Sequence, residues 1–144
     1  MDLELTDHAF LVTGGTDGLG LALAKKLVSE GARVAVCGRD QDRLDQAQGA
    51  LGDRALCVRA DVTKETELDG FIDTALTSFG RLDGAVNNAG RSAGTPVASS
   101  DDQMWRDDLE LKVISAVHIS RRVLPALEAS NGSLINVLAI LGRT

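Results

Sequence analysis

The stretch Thr13-Gly14-Gly15-Thr16-Asp17-Gly18-Leu19-Gly20 has the composition and spacing to hold an anion. It follows an apolar run, Ala9-Phe10-Leu11-Val12, and precedes an amphipathic run from Leu19 to Glu30. In the order strand, glycine-rich turn, helix, the free N–H groups and positive dipole end of the helix can take up phosphate. Glycines let the main chain turn sharply and come close to a pyrophosphate. The spacing is Gly-x-x-x-Gly-x-Gly, and taken alone it also suits a plain joint between strand and helix. A second turn with chemical potential, Asn87-Asn88-Ala89-Gly90, follows the apolar run Leu82 to Val86.

Other reactive side chains are sparse. The chain has no tyrosine, two cysteines and two histidines. Cys37 and Cys57 fall in separate apolar runs and read as inert, buried thiols. His8 opens the first strand, and His118 lies within a long helical pattern, where a packed or solvated imidazole is the ordinary reading. No His/Cys/Asp/Glu group has convincing zinc spacing, so no metal site is expected.

The elements that must position these residues alternate between short apolar runs and helical patterns, the mark of βαβ units and a parallel sheet. Strands are expected at His8–Val12, Arg33–Cys37, Ala55–Arg59, Leu82–Val86 and Leu134–Val137. Helices are expected from Gly18 to Glu30, with Leu19, Ala22, Leu23, Lys26 and Leu27 on one side, from Asp40 to Gln48 closed near Gly49, and from Glu65 to Phe79. A last, long helix should run from Asp101 to Leu124, its end disturbed by Pro125. Right-handed crossovers give the strand order 3-2-1-4-5, an α/β, doubly wound sheet of Rossmann type. Ligands on such sheets bind beyond the carboxyl ends of the strands, near the switch between strands 1 and 4. The glycine turn and the Asn-Asn-Ala-Gly turn would meet there.

Length and charge set outer limits. The 144 residues make one domain, 1–144, with 44% hydrophobic and 25% charged residues, as in a soluble globular protein. A net charge of −6 argues against nucleic-acid and anionic-membrane partners. No apolar run reaches transmembrane length, and the acidic start from Met1 to Asp7 is unlike a signal peptide. A reducing, cytoplasmic setting fits the two cysteines.

Together these motifs resemble the short-chain dehydrogenase/reductase family. Thr13 to Gly20 is similar to its cofactor turn, Asp61-Val62 to its adenine-contacting pair, and Asn87 to Gly90 to its Asn-Asn-Ala-Gly signature. Gly132-Ser133-Leu134-Ile135-Asn136-Val137 resembles the strand that leads to the family's catalytic serine. The matches run in family order along essentially the whole chain. They resemble the N-terminal part of an enzyme of about 250 residues, so the sheet is expected to be truncated after strand 5. The resemblance implies that Gly14, Thr16, Gly18 and Leu19 line a pyrophosphate and its ribose, that Asp61 and Val62 contact adenine, and that Asn88, Ala89 and Gly90 lie on the nicotinamide ribose side. Read without the family, Asp61 serves equally well as a helix cap. Asn87 is expected to bond neighbouring strands, because buried amides need partners.

An NAD-type site carries a carboxylate at the end of strand 2 for the ribose 2′-OH. That position is Gly38, and Arg39 follows it. A guanidinium there suits the 2′-phosphate of NADP. Arg39 could instead be a surface arginine paired with Asp40 or Asp42. Asp17, also placed among the cofactor-binding residues, points the other way on the choice of cofactor, since a carboxylate near a phosphate is unfavourable. The reading is NADP, with NAD as the alternative.

The family's chemistry is hydride transfer between the nicotinamide and a carbonyl or alcohol, with tyrosine, lysine, serine and asparagine handling the proton and the substrate oxygen. This chain lacks tyrosine altogether. The serine slot, three positions after Asn136, is Ala139, and the asparagine slot on the long helix is Lys112. No catalytic residue is therefore assigned. Two functions remain open: the cofactor-binding portion of a short-chain oxidoreductase acting on a small carbonyl or alcohol, or a non-catalytic nucleotide-binding or interaction module. The family also implies a homo-oligomer.

Overall fold

The computed structural model describes residues 3–91 and 94–138. Strands β1 (Ala9–Thr13), β2 (Arg33–Gly38), β3 (Ala55–Arg59), β4 (Gly84–Asn87) and β5 (Ser133–Asn136) form one parallel sheet. Their order is β3-β2-β1-β4-β5, as the sequence pattern predicts. Helices α1 (Gly18–Ser29), α2 (Gln41–Leu51), α3 (Glu65–Phe79), α4 (Asp102–Leu109) and α5 (Ser115–Ser130) flank it.

Alternation along the central strands sends side chains to two cores. Leu11, Ala35, Cys37 and Ala85 pack with Phe71 and Ile72 of α3 and with Ile119 and Val123 of α5. Val12, Val34, Val36 and Val86 pack on the other face with Ala24 and Leu27 of α1. Both faces of the central strands are thus covered, which is why these strands read as continuous apolar runs.

Four local expectations are corrected. The buried side of α1 is Gly20, Ala24 and Leu27, so the stripe built on Leu19 and Ala22 is rotated; Leu19 is 64% exposed. Helix α2 passes through Gly49 and stops at Gly52. Burial of Leu44, Ala47 and Leu51 holds it past a glycine that costs about 1 kcal/mol. Helix α5 likewise passes through Pro125 and ends at Asn131, because Ile119, Val123 and Leu127 are buried on both sides of the exposed proline. Finally, the long helix is interrupted by a π-helical segment, Glu110–Ile114, between α4 and α5.

Candidate functional site

Thr13, the last residue of β1, joins the two turns. Its Oγ1 accepts the N–H groups of Asn88 and Ala89, each at 3.0 Å, and donates to the Val86 carbonyl at 3.5 Å. The Asn88 amide returns the contact, with Nδ2 donating to the carbonyls of Thr13 (3.0 Å) and Gly14 (3.2 Å). Segments 75 residues apart are fastened into one floor. The sequence reading expected the two turns to meet but did not assign Thr13 the joint, because nothing local to either segment announces it.

The glycines divide the work. Gly14 (φ +63°) and Gly18 (φ +51°) adopt left-handed backbone, which a side chain rarely tolerates. A methyl on Gly18 would meet nothing within 4 Å, so this face of the turn is open. A methyl on Gly20 would overlap the Gly14 carbonyl and lie 2.5 Å from Asn88 Nδ2. Gly20 therefore serves close packing. Asp17 caps α1: its Oδ1 accepts the Gly18 N–H at 2.7 Å.

Beyond the carboxyl ends of the strands lies a crevice of about 840 Å³. Gly14, Thr16, Asp17, Gly18 and Leu19 line it from the glycine turn. Arg39 enters from the end of β2, Asp61 and Val62 from the end of β3, and Asn88, Ala89 and Gly90 from the end of β4. All eleven residues singled out in the sequence as binding residues thus share one cavity. Among the described residues the Arg39 guanidinium makes no hydrogen bond or ion pair, so it pairs with neither Asp40 nor Asp42. Asp61 does not cap α3, whose N-cap is Lys64. Its Oδ1 instead accepts from the N–H (2.9 Å) and hydroxyl (2.7 Å) of Thr63. Burial pushes the Asp61 carboxyl up, but the Thr63 bonds, with Arg39 and Lys64 nearby, outweigh it and hold it below the usual carboxylate range.

Arg43, in the first turn of α2, also lines the crevice and was not foreseen. Its Nη1 is 3.2 Å from Asp17 Oδ2. The available signal was its place three residues after the α2 cap Asp40, in the first turn of the helix that follows Arg39. Cys37 reaches the same crevice, and burial pushes its thiol up to about 12; the half-buried Cys57 is pushed up to about 11. Both are inert thiols at neutral pH.

A second cavity of about 520 Å³ adjoins the first through Asn88, Ala89, Gly90, Arg91 and Leu111. Lys112 lines it from the π-helical segment, with Nζ 2.7 Å from Asp108 Oδ1. Such segments are frequent at functional sites. Asn87 Nδ2 donates to Asn136 Oδ1 at 2.8 Å, tying β4 to β5 as expected, while Asn87 Oδ1 is buried without a partner. Ala139 lies outside the described residues.

One cluster with metal-ligand chemistry emerges that sequence spacing did not reveal. Glu65, Asp69 and His118 bring ligand atoms within 4.8 Å of one another between α3 and α5. None of the three lines either cavity. Asp69 is already engaged, accepting from His118 Nε2 (2.9 Å) and Arg122 Nε (2.7 Å), so the cluster is an ion-pair network joining two helices. No helix among the described residues is long and apolar enough to cross a membrane.

A five-stranded parallel sheet in this order, flanked by helices and carrying its crevice at the switch point, defines a doubly wound domain of Rossmann type. The chain belongs to the short-chain dehydrogenase family, whose model matches residues 8–144. It is 41% identical over 137 residues to ketoacyl reductase 2 of the granaticin polyketide synthase from Streptomyces violaceoruber, covering 92% of this chain and 55% of that one. It is 32% identical over 140 residues to an uncharacterized oxidoreductase from Staphylococcus epidermidis, covering 96% of this chain and 61% of the relative. Among solved structures, L-sorbose reductase from Gluconobacter frateurii, complexed with NADPH and L-sorbose, superposes with a TM-score of 0.91 at 32% identity, covering 97% of this chain and 55% of that one. A short-chain dehydrogenase/reductase of unknown function from Caenorhabditis elegans, solved with cofactor, gives 0.88 at 29% identity, covering 94% and 54%. The chain thus spans little more than half the length of these relatives.

Proposed function

We propose that this chain is the cofactor-binding portion of a short-chain oxidoreductase that uses NADP and acts on a carbonyl or alcohol substrate. The observation that carries the reading is the convergence of the glycine turn, Arg39, Asp61 and the Asn88–Gly90 turn on one crevice. The open face of Gly18 fits the close approach of a pyrophosphate, and an unpaired guanidinium at Arg39 fits a 2′-phosphate. Gly38 supplies no carboxylate to grip a 2′-OH, and a Cβ there would lie 2.8 Å from Thr16 Oγ1, so an acidic side chain at this position would require Thr16 to shift. The cofactor, when bound, supplies or accepts the hydride. In this reading Gly14, Thr16, Gly18 and Leu19 hold its pyrophosphate side, Asp61 and Val62 its adenine, and Asn88, Ala89 and Gly90 its nicotinamide ribose. The adjoining cavity, with Lys112 and Asn136, faces the substrate side.

The reductases among the relatives support a carbonyl as substrate class, and the family supports a cytoplasmic homo-oligomer as the working form. A second reading, a module that binds nucleotide without chemistry, is favoured by Ala139 in the family's serine slot and Lys112 in its asparagine slot. Calorimetric titration of the 144-residue chain with NADP and NAD tests the first claim, and saturable binding with NADP preferred is expected. Steady-state NADPH consumption against a panel of carbonyls tests the module reading. No turnover at a family-like rate is expected from this chain alone. Robust turnover would eliminate the module reading and require another proton donor, with Lys112 first to be tested.

A further inference from the structure

One ion pair joins two residues that line the crevice. Arg43 reaches from the first turn of α2 to Asp17 in the glycine turn, Nη1 to Oδ2 at 3.2 Å. Both side chains stay wet, 59% and 73% exposed. An exposed pair of this kind contributes little to stability and is readily given up. Asp17 has a second, independent attachment, since its other oxygen caps α1 through the Gly18 N–H. Losing Arg43 would leave the carboxylate in place. Apart from that pair, Arg43 is held at its main chain, where its N–H donates to Asp40 Oδ1 at 3.0 Å.

Asp17, Arg39, Asp40 and Arg43 all line the crevice, the last three from the segment that follows β2. The Arg39 main chain there is held by Arg59, whose Nε donates to its carbonyl at 3.2 Å. Two arginines therefore line the crevice from this one segment. One guanidinium is free of protein partners among the described residues, and the other is balanced by a carboxylate that has another role.

On the reading that the crevice takes a nicotinamide dinucleotide, we infer that Arg43 is a second cation for the 2′-phosphate, held ready by Asp17. A phosphate monoester carries nearly two negative charges and three acceptor oxygens, against one charge on Asp17. A guanidinium exchanges a single contact with Asp17 for a stronger one, or a pair, with the phosphate. A 2′-OH offers no such exchange, so with NAD the pair stays closed. Asp17 is then a competitor within the protein that sets how strongly 2′-phosphate is preferred. No direct contact from Asp17 to cofactor is needed, which resolves why an acidic residue stands beside a phosphate site.

The test is calorimetry on the whole 144-residue chain with NADP, NAD, adenosine 2′,5′-bisphosphate and 5′-AMP. Arg43→Gln should weaken NADP and the bisphosphate by about 10- to 100-fold and leave NAD and 5′-AMP within about twofold. It should also flatten the salt dependence of NADP binding. Asp17→Asn keeps the helix cap, because asparagine caps as well as aspartate. It should tighten NADP several-fold and leave NAD unchanged, and in the Arg43→Gln background that gain should shrink. Arg43→Lys should restore part of the NADP affinity, and melting curves check that each variant is folded. An unchanged NADP-to-NAD ratio in folded Arg43→Gln overturns the proposal alone. Failure of the unaltered chain to bind either dinucleotide overturns the cofactor reading, and this proposal with it.

Discussion

Arg39 and the glycines carry the sharpest consequences at the scale of single residues. A charge-assisted contact from Arg39 to a 2′-phosphate implies that Arg39→Ala weakens NADP by roughly 1.5–3 kcal/mol and NAD much less, read by titration calorimetry. Equal losses for the two cofactors would remove Arg39 from specificity. Gly20→Ala is expected to destabilise the fold by roughly 1–3 kcal/mol in chemical denaturation, since the methyl overlaps the Gly14 carbonyl and crowds Asn88. Gly18→Val, by contrast, points into the crevice and should obstruct binding, with a strain cost from its positive φ. The sequence located these residues because turn glycines and charges at strand ends follow local rules. It missed Thr13 and Arg43 because their roles depend on partners 75 and 26 residues away.

Elements were legible where local and long-range demands agree. Strand β3 and helix α3 fall at Ala55–Arg59 and Glu65–Phe79, as read from pattern, turn residues and the closing Gly80. They were misread where packing overrides local preference, at Gly49, Pro125 and the rotated face of α1. Leu19 belongs to the crevice rather than the core, so its apolar side chain misled the helical count. The π-helical segment has no sequence rule behind it. Between elements, α3 is pinned to α5 by Arg122, which bonds Asp69 and Asp73, and by His118 on Asp69, with Glu65 3.8 Å from the same ring. The His118 bond, followed by that of Arg122, holds the Asp69 carboxyl below its usual range. A carboxyl lowered in the folded state contributes stability above about pH 4, and that contribution is lost as pH falls toward its depressed value. Melting temperature should therefore fall on acidification below about pH 4. Asp69→Asn should melt lower at neutral pH and lose less on acidification, so that the two curves approach each other. Parallel curves would assign the acid response elsewhere, with Asp83, lowered by Arg81 and the Ala9 N–H against the effect of burial, the next to test.

At the scale of the whole molecule, the long helix from α4 to α5, which lies beside α3 on one face of the sheet, exposes apolar side chains. Leu109, Val113, Ile114, Val117 and Leu124 are each 43–52% exposed. Among the described residues β5 has a neighbour on one side only, and its Ile135 is also exposed. An open strand edge beside an apolar face favours pairing between chains. The 144-residue chain is expected to self-associate, with a sedimentation coefficient that rises with concentration. A monomer at high concentration with slowly exchanging β5 amides would contradict this. The fastening at Thr13 has a further consequence, in the order of events during folding. The crevice has no existence in any local fragment, because its floor is made when β1 meets β4 across more than seventy residues of chain. Contacts of such separation form slowly and late, after the loop between them has been closed. Ligand capture during refolding would then mark completion of the sheet, trailing the earlier appearance of helix, and the Asn88 and Ala89 amides would exchange only when the sheet itself opens.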